Sequence, residues 1–340
     1  MTATDRPLVL VTHPRNRLET YFGATAMANL RRVAEVRCNP TDDDLSGAAL
    51  VQAARNCAVM IAYRQTPVDA ASCAGLADVR AIVRCAVDIR TIDVAAASAQ
   101  GILVTQASAG FMASVSEWIL GAMIDLSRHI SAGVLEYRAD GVARPRMGRE
   151  LRGATVGVIS YGQIAQYLCT VAHALGMRVL VSDPFMTVDK PGVTQTDLAN
   201  LLAVSDFVVC LAPATAATEN MMNAQTFAAM RKGSYFINAA RGDLVDDAAL
   251  LQVLDSGHLA GAALDVGRAP DQMPTATLAR HPKVIASPHI GGLTPAAIEH
   301  QALETVRQTL EILQGRIPVG AVNADLATRM RHAAIRAATP

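Results

Sequence analysis

Along the chain, short runs of consecutive apolar residues recur between longer Ala- and Leu-rich stretches whose apolar positions fall at helical spacing. The runs at 8–12, 58–63, 80–85 and 102–105 predict one set of strands, and those at 155–160, 178–183, 207–211, 234–238, 262–266 and 284–287 a second. Strands that are apolar throughout and separated by helices are the pattern of parallel sheets covered on both faces. The series occurs twice, so the fold class predicted is α/β, with two doubly wound parallel-sheet domains and a cleft between them. The break falls near 105–115, and the helical pattern at 295–313 returns to the first unit. The expected domains are therefore 1–106 with 293–340, and 107–292. A long apolar segment from Ala113 to about Leu135 reads as a core helix or a subunit-interface helix. Residues 138–152, rich in Gly, Arg and Pro, read as a connector, and the tail after Asn323 as helical or frayed.

Composition narrows the function. The 340 residues are 51% hydrophobic and 18% charged, which argues against extensive disorder. Thirty Lys plus Arg balance thirty Asp plus Glu, so no long-range field draws the chain to nucleic acid or an anionic membrane. The early Asp5 and the short apolar run after Pro7 do not make a signal peptide, and the apolar stretch near Trp118 contains Glu117 and Asp125. The six cysteines show no C-x-x-C pair and read as reduced thiols, consistent with a cytoplasmic protein. No metal site is assigned.

The first chemical signal follows the predicted strand at 155–160. Ser160-Tyr161-Gly162-Gln163-Ile164-Ala165 stands where a G-x-G-x-x-G/A turn opens a helix, with Ser at the first glycine and Ala at the third. The middle glycine lets the backbone approach a pyrophosphate, which the free N–H groups at the helix N-terminus favour. Asp183 ends the next predicted strand 21 residues beyond Gly162. A carboxylate there suits a ribose diol and repels a 2′-phosphate, and no Arg follows in Pro184-Phe185-Met186-Thr187, so NAD is the cofactor expected.

From this point the sequence resembles the D-2-hydroxyacid dehydrogenase family, over roughly residues 55–325. The resemblance lies in Asp206-Phe-Val-Val-Cys-Leu-Ala-Pro213-Ala-Thr215-Ala-Ala-Thr218, Phe236-Ile237-Asn238-Ala239-Ala240-Arg241-Gly242, Leu259-Ala-Gly261-Ala-Ala-Leu-Asp265-Val266 and Ser287-Pro288-His289-Ile290-Gly291-Gly292. In the first unit it extends to Ile92-Asp93, Gly101-Ile-Leu-Val104 and Ser114-Val115-Ser116-Glu117. It implies hydride transfer between NAD(H) and a 2-hydroxy or 2-keto acid. Arg241 would fork onto the carboxylate and polarise the carbonyl; His289 would be the general acid/base; and Asp265 would lie near the nicotinamide. It implies a cofactor site lined by Tyr161, Gly162, Gln163, Ile164, Asp183, Ala212, Pro213, Thr218, Ala239, Ala240, Arg241, Asp265, His289 and Gly291. Tyr63, Arg64, Ala86 and Val87 would join Arg241 around the substrate. A homodimer with a small-molecule substrate is expected, and neither nucleic acid nor membrane as partner.

Two departures stand out. The family places a Glu five residues after the aspartate matched by Asp265, where it bonds the catalytic histidine; here that position is Pro270, which has neither an acceptor side chain nor an N–H. Asp271, one residue on, is the candidate replacement. Without a carboxylate, protonated His289 would lack the charge that stabilises it. The family's G-V-G loop reads Ala86-Val87-Asp88, bringing an acid to the substrate loop. These departures also fit a homologue that binds NAD(H) as a sensor, or one that uses it for a transient oxidation in a lyase or hydrolase cycle.

Overall fold

The ten expected strands all form in the computed structural model, which describes residues 6–330, each within two residues of the expected ends. The part of the C-terminal tail from 331 onward lies outside the described residues. Two compact units result, one from the residues up to Gly110 and from Pro295 onward, the other Phe111–Thr294.

In the first unit, β1 (Leu8–Val11), β2 (Glu35–Cys38), β3 (Val59–Ala62), β4 (Ala81–Arg84) and β5 (Leu103–Gln106) form a parallel sheet in the order β2-β1-β3-β4-β5. Strand pleating sends alternate residues to opposite faces. Val9, Val11, Val59, Ile61 and Val83 enter a core covered by the helices Gly23–Val33 and Pro295–Leu313, while Leu10, Met60, Ile82 and Val104 enter the opposite core with Leu50, Cys73 and Ala97. Each fully buried Val, Leu or Ile contributes roughly 1.5–3 kcal/mol.

The second unit holds β6 (Thr155–Ile159), β7 (Arg178–Ser182), β8 (Val193–Gln195), β9 (Phe207–Cys210), β10 (Tyr235–Asn238), β11 (Gly261–Leu264) and β12 (Val284–Ala286). All pair in parallel, in the order β12-β11-β10-β9-β6-β7-β8. The chain winds outward in both directions from the β6–β9 pair, so this pair is the topological switch point, where the carboxyl ends of the strands leave a crevice for ligands. Val156, Val158, Phe207, Val209 and Ile237 face one core, and Ile159, Val208, Cys210, Phe236 and Leu264 face the other.

Two strands, β2 and β8, carry no apolar run, and both are edges. The apolar segment after Ala113 also differs from a single helix. It is Met112–Arg128, a left-handed break at His129 (φ 56°), and a second helix Ile130–Asp140. Asp125 makes the restart: its carbonyl accepts from His129 N and its carboxylate from Ser131 N at 2.8 Å. Among the described residues no helix is long and apolar enough to cross a membrane, and all six cysteines are free.

Candidate functional site

The expected cofactor residues lie just beyond the carboxyl ends of β6, β7, β9, β10, β11 and β12. After β6 the chain turns through Ser160 in the left-handed region (φ 79°). That conformation explains why glycine is the usual occupant, and costs a non-glycine residue about 1–2 kcal/mol. Gly162 is the N-cap of helix Gln163–Ala174, with an ordinary φ of −72°. A Cβ there would meet no protein atom within 4 Å, so nothing in the fold itself requires glycine. What the missing side chain leaves is an open approach to a helix N-terminus with no acidic residue in its first turn and no side-chain cap. Such a cradle fits a phosphate group. Tyr161 is buried beside it, and the Ile164 carbonyl accepts from the Ser116 hydroxyl at 3.2 Å.

Asp183 follows β7, half-buried. One carboxylate oxygen accepts from Tyr161 N (2.8 Å) and the Ser160 hydroxyl (3.3 Å), the other from Phe185 N (2.8 Å) and Met186 N (3.1 Å). Burial alone would raise its pKa, but these backbone and hydroxyl donors outweigh it and hold the carboxyl below its usual range. Asp183 thus ties the glycine turn to the loop after β7. A ribose diol binding there would compete first with Ser160, the longest of the four bonds. The loop after β9, with Ala212 and Pro213, is closed by Thr218, whose hydroxyl donates to the Pro213 carbonyl at 2.7 Å.

Arg241 follows β10 in extended conformation, half-buried, after Ala239 and Ala240. Buried Asn238 shapes this turn: its amide donates to the Arg241 carbonyl (2.9 Å) and its oxygen accepts from Ala240 N (3.1 Å). A Cβ on Gly242 would lie 2.1 Å from the Gly267 carbonyl carbon, so the loops after β10 and β11 touch backbone to backbone. Arg268 braces the same contact, donating to Asn220 Oδ1 (2.7 Å) and to the carbonyls of Asp243 (2.9 Å) and Val245 (3.2 Å).

Asp265, at the end of β11, is buried inside the loop that carries His289. Its Oδ1 accepts from the Ser287 hydroxyl (2.6 Å) and Ile290 N (2.8 Å), and its Oδ2 from Gly291 N (2.7 Å). His289 stands on this loop with φ 56°. Its Nδ1 lies 2.9 Å from the main-chain carbonyl of Asp271. A carbonyl only accepts, so Nδ1 carries the hydrogen and, in the neutral ring, Nε2 carries the lone pair. Asp271 and Gln272 both take left-handed conformations (φ 56° and 58°) in the short turn Pro270–Gln272. That turn is held by Gln272 O, which accepts from Gly267 N at 2.7 Å.

In the first unit, Tyr63 and Arg64 follow β3, and Ala86, Val87 and Asp88 follow β4. Arg90 forks onto both Asp88 oxygens at 2.9–3.2 Å, pairing the acid within its own loop.

Residues 120–291 match the family model described as D-isomer specific 2-hydroxyacid dehydrogenase, NAD binding domain. The chain belongs to this family. Among its relatives, D-3-phosphoglycerate dehydrogenase of Bacillus subtilis (strain 168) is 32% identical over 265 residues, 77% of this chain and 50% of that protein. The chain spans about half the length of the curated relatives it matches. A Thermus thermophilus protein superposes with a TM-score of 0.83 at 28% identity, covering 93% of this chain and 99% of that one. A D-isomer specific 2-hydroxyacid dehydrogenase from Lactobacillus delbrueckii ssp. bulgaricus, solved in NAD complexed form, gives 0.78 at 25% identity, covering 93% and 100%. The fold class is thus that of the 2-hydroxyacid dehydrogenases, and NAD is the cofactor of the matched domain.

Asn238, Ser287 and Arg268 were not singled out from sequence, though the first two lie inside the quoted motifs. Asn238 and Arg268 meet main-chain groups and Ser287 the Asp265 carboxylate, and nothing in a linear sequence marks which partner a side chain meets.

Proposed function

We propose that this protein is a cytoplasmic NAD(H)-dependent oxidoreductase that interconverts a small 2-keto acid and its 2-hydroxy acid. One observation carries the reading. The open glycine turn, Asp183, Arg241 and His289 all lie at the carboxyl edge of one parallel sheet, around its switch point.

NAD(H), when bound, supplies or accepts the hydride. Gly162 and the first turn of the helix after it hold the pyrophosphate, and Asp183 takes the ribose hydroxyls. The Arg241 guanidinium forks onto the substrate carboxylate and polarises the adjacent carbonyl. His289, held with its hydrogen on Nδ1, moves the substrate proton at Nε2. Asp265 keeps the His289 loop in register. Tyr63, Arg64, Ala86 and Val87, beyond the carboxyl ends of β3 and β4, are the further substrate-binding residues of this reading. The free cysteines support a reducing compartment. The exposed apolar side chains Ile130, Leu135, Tyr137 and Met147 support a homodimer.

Replacing Arg241 or His289 by Ala should lower kcat/KM for keto-acid reduction at least about a hundredfold while changing NADH affinity less than about threefold. Unchanged turnover in either variant would remove that residue from the mechanism.

A second reading follows from the main-chain carbonyl that meets His289 Nδ1. A carbonyl orients the ring without adding charge, which suits a protein that holds NAD(H) as a sensor or for a transient oxidation. Net NADH consumption in step with product separates the two readings.

A further inference from the structure

Arg84, the last residue of β4, is wholly buried. One terminal nitrogen donates to the Tyr63 carbonyl, the other to the Thr66 carbonyl at 3.1 Å and the Thr91 hydroxyl at 2.6 Å. All three acceptors are neutral. Both carbonyls also have a second donor, Thr66 N on Tyr63 O at 2.9 Å and the Thr91 hydroxyl on Thr66 O at 3.2 Å. Satisfying them therefore does not require a guanidinium, yet burying its charge is costly.

The surroundings compensate that charge only in part. Burial lowers the Arg84 pKa to about 10, so it stays protonated at neutral pH. His13, tilted against the rings of Phe22 and Tyr63, is pushed down to about 3, first by burial and then by the charge of Arg84, and is neutral. Burial raises the Cys85 thiol to about 11, so it too is neutral. The acid that Arg84 senses, Asp88, is already forked by Arg90. The turn is stiffened from the other side by Thr12, whose hydroxyl lies 2.7 Å from that of Thr66 and accepts from Tyr63 N at 2.9 Å.

We propose that Arg84 is a positioning residue for an anionic substrate group. It clamps the turn 63–66 to the loop ending at Thr91 and gives the carboxyl edge of this sheet a fixed positive charge that favours a bound carboxylate. It acts through the two loops and does not itself touch the ligand. The inference rests on the reading that these loops meet substrate.

The test uses the full chain carrying Arg84→Met or Arg84→Lys, with glyoxylate as the keto acid and oxalate as a non-reacting carboxylate. For Arg84→Met, KM and the oxalate Kd should each rise at least about tenfold, with kcat and NADH affinity within about threefold of wild type. Its Tm should fall by no more than a few degrees, since an apolar side chain of similar length removes a buried charge. Arg84→Lys should recover part of the lost oxalate affinity. An unchanged oxalate Kd in the Met variant overturns the proposal, as does equal weakening in Lys and Met with a Tm loss beyond about 10 °C in both. If the Met variant does not fold, Lys decides alone: weaker oxalate binding at wild-type Tm supports the role, and unchanged binding removes it. Wild-type oxalate binding that Arg84→Met abolishes, without glyoxylate turnover, keeps Arg84 and removes the dehydrogenase reading. Wild-type turnover matched by Arg84→Met does the reverse, and neither oxalate binding nor turnover in wild type removes both.

Discussion

Around His289 the structure replaces one kind of support with another. Its loop wraps a buried carboxylate, Asp265, which accepts from Ser287, Ile290 N and Gly291 N. A Cβ on Gly291 would come within 2.8 Å of the Asp265 oxygen, so a side chain there would push on that carboxylate. On the ring itself, a main-chain carbonyl meets Nδ1, presented by a turn with two consecutive left-handed residues. The loss of the family's glutamate was legible as Pro270; the carbonyl was not, because it depends on backbone angles that side-chain identity does not announce. Asp271→Pro cannot take a φ of 56° and should withdraw the carbonyl. We expect kcat to fall at least about tenfold with NADH affinity unchanged. Asp271→Asn, a residue tolerant of this region, should keep the turn and stay within about threefold. Steady-state kinetics and a fluorescence titration of NADH check both, and a fully active proline variant would refute the tautomer assignment.

Among the elements, legibility follows burial. The interior strands announced themselves as continuous apolar runs because both their faces are covered. Edge strands β2, Glu-Val-Arg-Cys, and β8, Val-Thr-Gln, carry polar residues on exposed faces, and only pairing with β1 and β7 makes them strands. The break at His129 was hidden for a related reason, since the apolar pattern runs through it and the restart depends on Asp125. Asn323 acts between elements: its oxygen accepts from Val104 N (2.8 Å), and its amide donates to Ile102 O (2.9 Å) and the Ser98 hydroxyl (2.8 Å). It fastens the segment after Pro295–Leu313 to β5. Asn323→Ala, which strands buried partners, should cost about 1–3 kcal/mol in denaturant unfolding with NADH affinity unchanged. A loss below about 0.3 kcal/mol would show that the segment is held elsewhere.

The whole molecule holds two parallel sheets of five and seven strands, and the catalytic candidates sit on the seven-stranded one. Parallel order places every strand's carboxyl end on one edge, so residues as far apart in sequence as Gly162 and His289 share it. The proposed function requires hydride to pass between bound NADH and C2 of a keto acid. The most direct test is to supply NADH deuterated at C4 of the nicotinamide, on each face in turn, with a panel of 2-keto acids, and to read the product by mass spectrometry. One deuterium at C2 of a 2-hydroxy acid per NADH oxidised, from one face only, is the result expected. Tight NADH binding with no label in any product would contradict it.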